Sequence, residues 1–148
     1  MTFVLQQTNK ENNVAKFVAT DYNITIGGVD FSTSLAAATL DITVEEQDTT
    51  SFGSTARTRI GGLQDGSISL DFHQDFAADS IDATLFPLLG TTVDIVIMPT
   101  SAVVGATNPS YTATALVTQY SPFASSLGDL ATLSVSWPIT GAVTRAVA

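Results

Sequence analysis

Two segments of the chain alternate strictly between apolar and polar residues, and this pattern limits the available folds. Between Thr39 and Glu46 every second residue is apolar, at Leu40, Ile42 and Val44. Between Ser67 and Phe76 the apolar series is Ile68, Leu70, Phe72 and Phe76, and Ser69, Asp71, His73 and Asp75 form the polar series. A period of two residues is typical of a β-strand with one buried face. The pattern therefore predicts a sheet with one dry and one wet face.

The remaining segments predict more strands and one helix. β-Branched and aromatic residues predict strands over 17–20, 22–26, 92–98, 110–120 and 131–137, with a turn at Gly27-Gly28. Asp79 or Ser80 can cap a helix that Gly90 ends, and Pro87 is expected to kink or split it. The fold class that follows is mainly β, an antiparallel β-sandwich or barrel with one flanking α-helix and a long hairpin loop. We expect one domain over residues 1–148, with a polar N-terminal arm at 1–16.

The segment between the two alternating strands, residues 47–66, is predicted to be a long inter-strand loop. Loops of this length inside a compact domain are uncommon and usually functional. This one carries Phe52 and Ile60, which are unusual side chains to leave in water, and also Arg57 and Arg59. These four residues are the candidates for contacts between subunits. The alternative is a flexible surface hairpin with no partner.

The charges of the chain are few and one-sided. Acidic residues number 14 against five basic ones, the net charge is −9, and charged residues make up 13% of the chain, about half of the roughly 25% usual in soluble domains. Five basic residues cannot neutralise many phosphates, so a protein that binds tightly to the phosphate backbone of nucleic acid is excluded. The polar faces of the two alternating strands carry Asp41, Glu45, Asp71 and Asp75. They form one acidic sheet face if the strands are neighbours; the alternative is a solvated face that maintains solubility.

Catalytic and metal-binding patterns are missing from the sequence. The chain has no cysteine and a single histidine, His73, which lies in an alternating strand without a nucleophile motif. We therefore expect no enzyme activity, no catalytic residues, no cofactor and no bound metal. No signal-peptide pattern is visible at Met1–Lys10 and no apolar stretch approaches the roughly 20 residues of a membrane helix, so we expect synthesis and retention in a cytoplasm, away from membranes.

Several runs of turns and strands are shared with one known family. They are Thr49-Thr50-Ser51-Phe52-Gly53, Arg57-Thr58-Arg59-Ile60-Gly61-Gly62-Leu63-Gln64-Asp65-Gly66-Ser67, Asp71-Phe72-His73-Gln74-Asp75-Phe76, Ala83-Thr84-Leu85-Phe86-Pro87-Leu88-Leu89-Gly90, Asn108-Pro109-Ser110-Tyr111, Tyr120-Ser121-Pro122-Phe123 and Thr132-Leu133-Ser134-Val135-Ser136-Trp137-Pro138. Together they resemble the tail tube proteins (major tail proteins) of long-tailed, non-contractile bacteriophages. The resemblance extends from Asp21 to Arg145 and rests on the whole order of elements, without a single diagnostic motif.

The resemblance implies a structural virion protein. Members of that family fold as a β-sandwich or barrel and assemble into rings, commonly hexameric, that stack into a hollow tail tube. Genomic DNA passes through a lumen whose wall is a continuous β-barrel, and the long loop and the termini contact neighbouring rings. The implied partners are other copies of the chain and the tail proteins at the tube ends. The implied location is the virion tail, with assembly in the bacterial host cytoplasm.

Within this picture, acidic residues on the lumen wall would repel phosphates and let DNA slide. Asp41, Glu45, Asp71 and Asp75 are the candidates for that wall. Phe52 and Ile60 would be buried between subunits, and Arg57 and Arg59 would pair with acidic rims of neighbours. Two other classes stay open, namely another virion β-protein such as a capsid decoration or tail-terminator subunit, and a stand-alone binding module or enzyme.

Overall fold

The protein consists of two antiparallel β-sheets and one short helix in the computed structural model, which describes residues 16–148. The predicted N-terminal arm, residues 1–16, lies outside the described residues except for Lys16. The elements are β1 (Asn23–Ile26), β2 (Val29–Asp30), a 3-10 turn (Ser32–Ser34), β3 (Leu35–Asp48), β4 (Arg59–His73), α1 (Ile81–Leu88), β5 (Thr92–Met98), β6 (Ser110–Leu116), β7 (Thr132–Pro138) and β8 (Thr144–Ala146). The predicted class, mainly β with antiparallel sheets and one helix, is confirmed.

The core lies between the two sheets. One sheet has the strand order β2-β1-β5-β6-β8 and the other has the order β3-β4-β7. Ile24, Ile26 and Ile95 of the first sheet and Leu70, Phe72 and Trp137 of the second are fully buried. Each such side chain contributes about 1.5–3 kcal/mol when it leaves water. The Trp137 indole donates a hydrogen bond to the Gln119 carbonyl at 2.9 Å, so its polar atom is also satisfied.

The single helix closes one end of this core. Ile81 and Leu85 of α1 are buried and Leu88 packs against the core, while Phe86 is exposed. The helix is not split at Pro87, which lies in the last turn of a continuous eight-residue helix. Gly90 follows in the left-handed conformation with φ 82°. Its amide donates to the Val117 carbonyl at 2.8 Å. This bond holds the helix end against the chain that leaves β6.

Three of the predicted strands differ from those observed: one is absent and two end earlier than predicted. Residues 17–20 form no strand, and Phe17 and Val18 are 60% and 80% exposed, because apolar composition does not itself supply a partner strand. The strand predicted over 110–120 ends at Leu116, since Val117 leaves the ladder to pair with Thr91. The strand predicted over 67–76 ends at His73. Gly27 and Gly28 do form the predicted turn, both with positive φ.

Half of the predicted long loop at 47–66 is strand. The β3–β4 pairing continues out to Asp48 opposite Arg59, so the loop that joins the strands spans only residues 49–58. Alternation is interrupted by a register shift between Val44 and Glu46, where Gly61 and Gly62 lie on the partner strand. The two glycines and the bulge interrupt the period of two residues, so the sequence pattern did not predict this part of the strand.

Candidate functional site

The outer half of the β3–β4 hairpin projects beyond the sandwich. β7 pairs with β4 only between Ser67 and His73, so beyond Gly66 the hairpin has two strands and no third neighbour among the described residues. We call residues 42–65 the arm. Every residue of the arm is exposed, on both faces of the ribbon. An isolated two-stranded ribbon is at best marginally stable in water, so the arm lacks the packing that stabilises the rest of the chain.

Apolar side chains are spread along the whole arm. Ile42 and Val44 continue the alternating series of β3 but are 41% and 58% exposed. Ile60 and Leu63 on β4 are 61% and 79% exposed, and Phe52 at the tip is fully exposed. Single exposed apolar residues are ordinary, but a contiguous set usually marks an interaction surface. Two of the predicted subunit-contact residues, Phe52 and Ile60, therefore lie on an element that no other part of residues 16–148 covers.

Local hydrogen bonds hold the tip in one conformation. The Thr49 amide donates to the Thr58 carbonyl at 2.8 Å, and the Thr58 amide donates to the Thr50 hydroxyl at 2.9 Å. The Thr50 amide donates to the Asp48 carboxylate at 2.8 Å. Gly53 follows Phe52 with φ 87°, a left-handed conformation that glycine adopts without strain. Phe52 is therefore presented at the apex of an ordered turn.

Both predicted arginines form ion pairs within the arm. The Arg57 guanidinium lies 2.9 Å from the Asp48 carboxylate, and Arg59 Nε lies 2.6 Å from Glu46 Oε1. The hydroxyl and amide of Thr50, followed by Arg57, lower the pKa of Asp48 below its ordinary value. Both pairs are well exposed, and exposed pairs contribute little to stability. The arginines are therefore free to exchange these partners for carboxylates of another molecule at little cost.

The base of the arm is fixed by a close backbone approach. A Cβ atom on Gly66 would lie 2.6 Å from the Asp41 carbonyl oxygen, a distance that excludes any larger residue without a backbone shift. The Gly66 carbonyl also accepts a hydrogen bond from the Ile139 amide at 3.0 Å. Gly66 thus marks the boundary between the packed part of the hairpin and the arm.

Three of the four predicted acidic residues share one face of the β3-β4-β7 sheet. Asp41 lies opposite Ser67, and Asp71 lies opposite Ala37 on β3 and Ser134 on β7. Alternation along β3 puts Glu45 on the Asp41 side, about 13 Å further out at roughly 3.3 Å per residue. Most other residues of this face are small or hydroxyl-bearing, with Thr39, Ser69 and Ser136 among them, and His73 lies at the end of the face.

The fourth acidic residue, Asp75, does not belong to that face. β4 ends at His73, and Asp75 lies in the turn before α1, where its carboxylate accepts from the Ala77 amide at 2.9 Å. Phe76, which the alternation predicted to be buried with Phe72, is 55% exposed. The period-two pattern continued by chance beyond the end of the strand. His73 itself is an exposed residue opposite Thr132, with no nucleophile paired to it.

Sequence reasoning missed two apolar surfaces. A groove of about 330 Å³ opens between the sheets at the base of the arm, lined by residues that include Phe17, Tyr22, Leu40, Ile42 and Tyr111. At the other end of the molecule Phe76 and Phe123 stack with ring centroids 5.6 Å apart. Pro122-Phe123 and the isolated leucines that follow it, in a segment otherwise made of small and polar residues, were the available signal.

Two further observations on residues 16–148 concern metal binding and membrane-spanning helices. No three histidine, aspartate or glutamate side chains of this part of the chain gather closely enough to hold a metal ion. None of its helices has the length and apolar character needed to cross a membrane.

The fold is similar to that of chains in two solved particle structures. A chain in the virion of a native gene transfer agent particle matches with a TM-score of 0.71 and 17% identity, over 88% of this chain and 99% of that chain. A chain in the tail of an empty gene transfer agent particle, refined helically with C6 symmetry, matches with a TM-score of 0.60 and 19% identity, over 76% and 82% of the two chains. No protein-family model and no curated protein sequence matches. At these identities the likeness is one of fold.

Proposed function

We propose that the chain is a structural virion subunit that assembles into stacked rings, which form the hollow tube of a phage-type tail. The proposal rests mainly on the arm, which is a two-stranded ribbon with both faces exposed and with several apolar side chains in contact with water. The fold similarity to chains from a gene transfer agent virion and from a C6-symmetric tail supports it and favours hexameric rings. The other tail proteins would bind at the two ends of the tube.

Burial of the arm supplies the driving force for assembly. Apolar surface contributes about 25 cal/mol per Å² when it leaves water, and a phenylalanine buries 150–250 Å². Phe52 alone would therefore contribute several kcal/mol, and Ile60 and Leu63 would add to it. A neighbouring subunit that covers the arm also removes the main reason for its marginal stability.

The edge of β3 supports ring formation in a second way. β3 has 14 residues and pairs only with β4 among the described residues, so its other edge carries unpaired backbone groups along Leu35–Asp48. Long free edges invite pairing with another chain, and soluble proteins usually block them. Pairing of this edge with the sheet of a neighbouring copy would join the three-stranded sheets into one wall.

We assign the lumen side of that wall to the face that carries Asp41, Glu45 and Asp71. Most of its other residues are small or hydroxyl-bearing, with His73 at one end, and the basic residues of the described chain, Lys16, Arg57, Arg59 and Arg145, are not among the residues of its packed part. A carboxylate surface repels phosphates and gives a duplex nothing to bind by counterion release. Asp75 is left out of this assignment because it lies beyond the strand.

Electron microscopy of the purified protein tests the assembly. Concentrated protein is expected to form rings or hollow tubes in negative stain. Phe52→Ala combined with Arg59→Ala should abolish them while leaving circular dichroism unchanged, since both side chains are exposed in the monomer. Val103→Ser is the control, because Val103 is also a highly exposed apolar residue but lies outside the arm. Normal tubes from the double variant would contradict the role of the arm.

The same images separate the proposal from its alternative. A tail-terminator subunit should stop at a single ring, and a capsid decoration protein should bind capsids without forming tubes. Either result would replace the tube assignment. A chain that stays monomeric at high concentration and with its tail partners present would contradict all of these roles.

DNA ejection tests the lumen assignment. Asp41→Lys with Asp71→Lys should slow ejection without preventing assembly, because lysines would hold the phosphates they meet. Asp94→Lys is the control, since Asp94 is an exposed carboxylate on β5 of the other sheet. Equal ejection rates for the double variant, the control and the unsubstituted particle would contradict the assignment.

A further inference from the structure

The base of the arm contains the one Asp-Gly bond of the chain. Asp65 is followed by Gly66, whereas every other aspartate is followed by a residue with a side chain. A backbone amide that follows an aspartate can attack the side-chain carboxyl group and close a succinimide ring. Glycine favours this reaction because it has no side chain to cover its amide and adopts the widest range of backbone angles. Asp65 is also exposed, so water reaches the site.

The two groups that would react are in contact in the folded chain. The Gly66 carbonyl accepts a hydrogen bond from the Ile139 amide at 3.0 Å. In a regular antiparallel pair the two residues exchange both bonds, but here the Gly66 amide donates to the Asp65 carboxylate at 2.8 Å. The carboxylate thus takes the place of a backbone acceptor, because β7 ends at Pro138. Holding a nucleophile against its target removes a large part of a reaction barrier.

Asp79 provides a comparison within the same chain. It is also exposed and is followed by a small residue, Ser80. The Ser80 amide, however, donates to the Ala77 carbonyl at 3.3 Å, so it already has a backbone acceptor in the turn before α1. We therefore expect the same chemistry to be slower at Asp79 than at Asp65.

We propose that the Asp65-Gly66 bond is a site of spontaneous isomerisation, and that a subunit modified there cannot enter a tube. The Gly66 nitrogen forms a bond to the Asp65 carboxyl carbon. One C–O bond of that carboxyl group breaks with its electron pair, and the oxygen takes the amide proton and a solvent proton and leaves as water. A second water then gives its hydroxyl to the backbone carbonyl carbon of the ring and its proton to the nitrogen, as the bond between these two atoms breaks. The product is an isoaspartate, whose backbone runs through the former side chain.

Isoaspartate lengthens the backbone by one carbon at a point that has no spare room. Asp65 pairs with Thr43 and Gly66 pairs with Ile42. A Cβ atom on Gly66 would lie 2.6 Å from the Asp41 carbonyl oxygen. An extra methylene beside Gly66 must therefore shift the two strands relative to each other, and a change of register moves side chains to the opposite face. The arm beyond this point would lose the arrangement that assembly requires.

The effect on assembly rests on the proposed tube. Ring closure requires rotation of the backbone at Asp65, and a two-stranded ribbon permits that rotation when it opens locally. Neighbouring copies that hold the arm would prevent the rotation. Isomerisation is thus a fate of the free subunit, and it limits the time during which that subunit can be assembled.

Ageing of the purified protein in heavy-oxygen water tests the site. Each cycle of ring closure and hydrolysis introduces one heavy oxygen into the peptide that contains Asp65, and a protease specific for aspartate no longer cleaves at the isomer. Asp65→Glu is the matched variant, because it keeps the charge but must close a larger ring, which forms more slowly. Asp65→Asn is the second variant, since it reacts through the same ring with loss of ammonia and should react faster.

We expect the Asp65 peptide of the free subunit to gain label and isoaspartate at least tenfold faster than the Asp79 peptide. The rate should fall at least tenfold in Asp65→Glu and at least tenfold in assembled tubes. When an aged sample is then assembled, the tubes should contain at least tenfold less isoaspartate than the unassembled fraction.

Two results would overturn the proposal and leave the tube assignment intact. Equal labelling of the Asp65 and Asp79 peptides would exclude the site, and equal isoaspartate in tubes and in the unassembled fraction would exclude its effect on assembly. Failure of the unsubstituted chain to form any ring or tube would instead overturn the proposed function, while the labelling of the free subunit would still decide whether Asp65 isomerises.

Discussion

The two halves of the β3–β4 hairpin share the same strands but differ in what surrounds them. In the inner half, Ile68, Leu70 and Phe72 are fully buried, because β7 extends the sheet and the second sheet packs across it. In the arm, Ile42 and Val44 continue the same alternation and are exposed. The apolar alternation of β3 is the same in both halves as far as Val44, and the neighbouring elements differ. Alternation therefore identifies an apolar face, and neighbouring elements decide whether the monomer buries it.

The largest expected difference between the halves is in the free energy of unfolding. Phe72→Ala should destabilise the monomer by about 3–5 kcal/mol, since it leaves a cavity in a closed core. Phe52→Ala should change the stability by less than about 0.5 kcal/mol, because the ring is fully exposed in the described part of the chain. Urea unfolding of both variants measures the difference. Similar losses for the two would mean that the arm is packed in the monomer.

A smaller effect is expected at the boundary between the halves. Gly66→Ala places a methyl group 2.6 Å from the Asp41 carbonyl, so the strands must separate, at a cost of about 1–3 kcal/mol. Gly105→Ala is the control, because its Cβ would meet no atom within 4 Å. Thermal unfolding compares the two variants. If Gly66→Ala is as stable as the control, the close approach does not fix the base of the arm.

The sequence predicted the fold class and the helix because these depend on local patterns. Leu133, Val135 and Trp137 alternate and are buried as expected, and Ile81 and Leu85 form the buried face of α1. The length of the hairpin was not predictable, since Gly61, Gly62 and a register shift interrupt the alternation where the strands still pair.

The candidate site was only partly predictable, because it depends on contacts between distant segments as well as on local patterns. Phe52 and Arg57 lie in the loop 49–58 and Arg59 and Ile60 lie at the start of β4, so their grouping depends on the β3–β4 pairing as well as on the loop. The Phe76–Phe123 pair joins residues 47 positions apart, and only the folded chain brings them together. Asp75 was placed on the wrong surface because its position in the pattern could not reveal that β4 had already ended.

The smallest expected effect is a local loosening of the arm at acid pH. Hydrogen bonds from Thr50 and the ion pair with Arg57 lower the pKa of Asp48 below its ordinary 3.8. A carboxyl group whose pKa is lowered by folding stabilises the folded tip at pH values above its ordinary pKa. That stabilisation is lost as the pH falls through the pKa of the folded state. The Thr50 amide resonance should therefore stay constant from pH 7 to pH 4.5 and shift below about 3.8.

Asp48→Asn provides the control for this titration. It removes the ionisable group while keeping an oxygen that can accept from the Thr50 amide. The acid transition at Thr50 should disappear in this variant, while the inner half of the hairpin behaves as before. An unchanged transition would assign the effect to another group.

The most direct test of the account is hydrogen exchange of the hairpin before and after assembly. Peptides from the inner half, 67–73, should be protected in the monomer and in tubes alike. Peptides from the arm, 42–65, should exchange rapidly in the monomer, as expected for an isolated ribbon, and at least 100-fold more slowly in tubes. Arm peptides that exchange equally in both states would contradict the claim that neighbouring copies complete the arm.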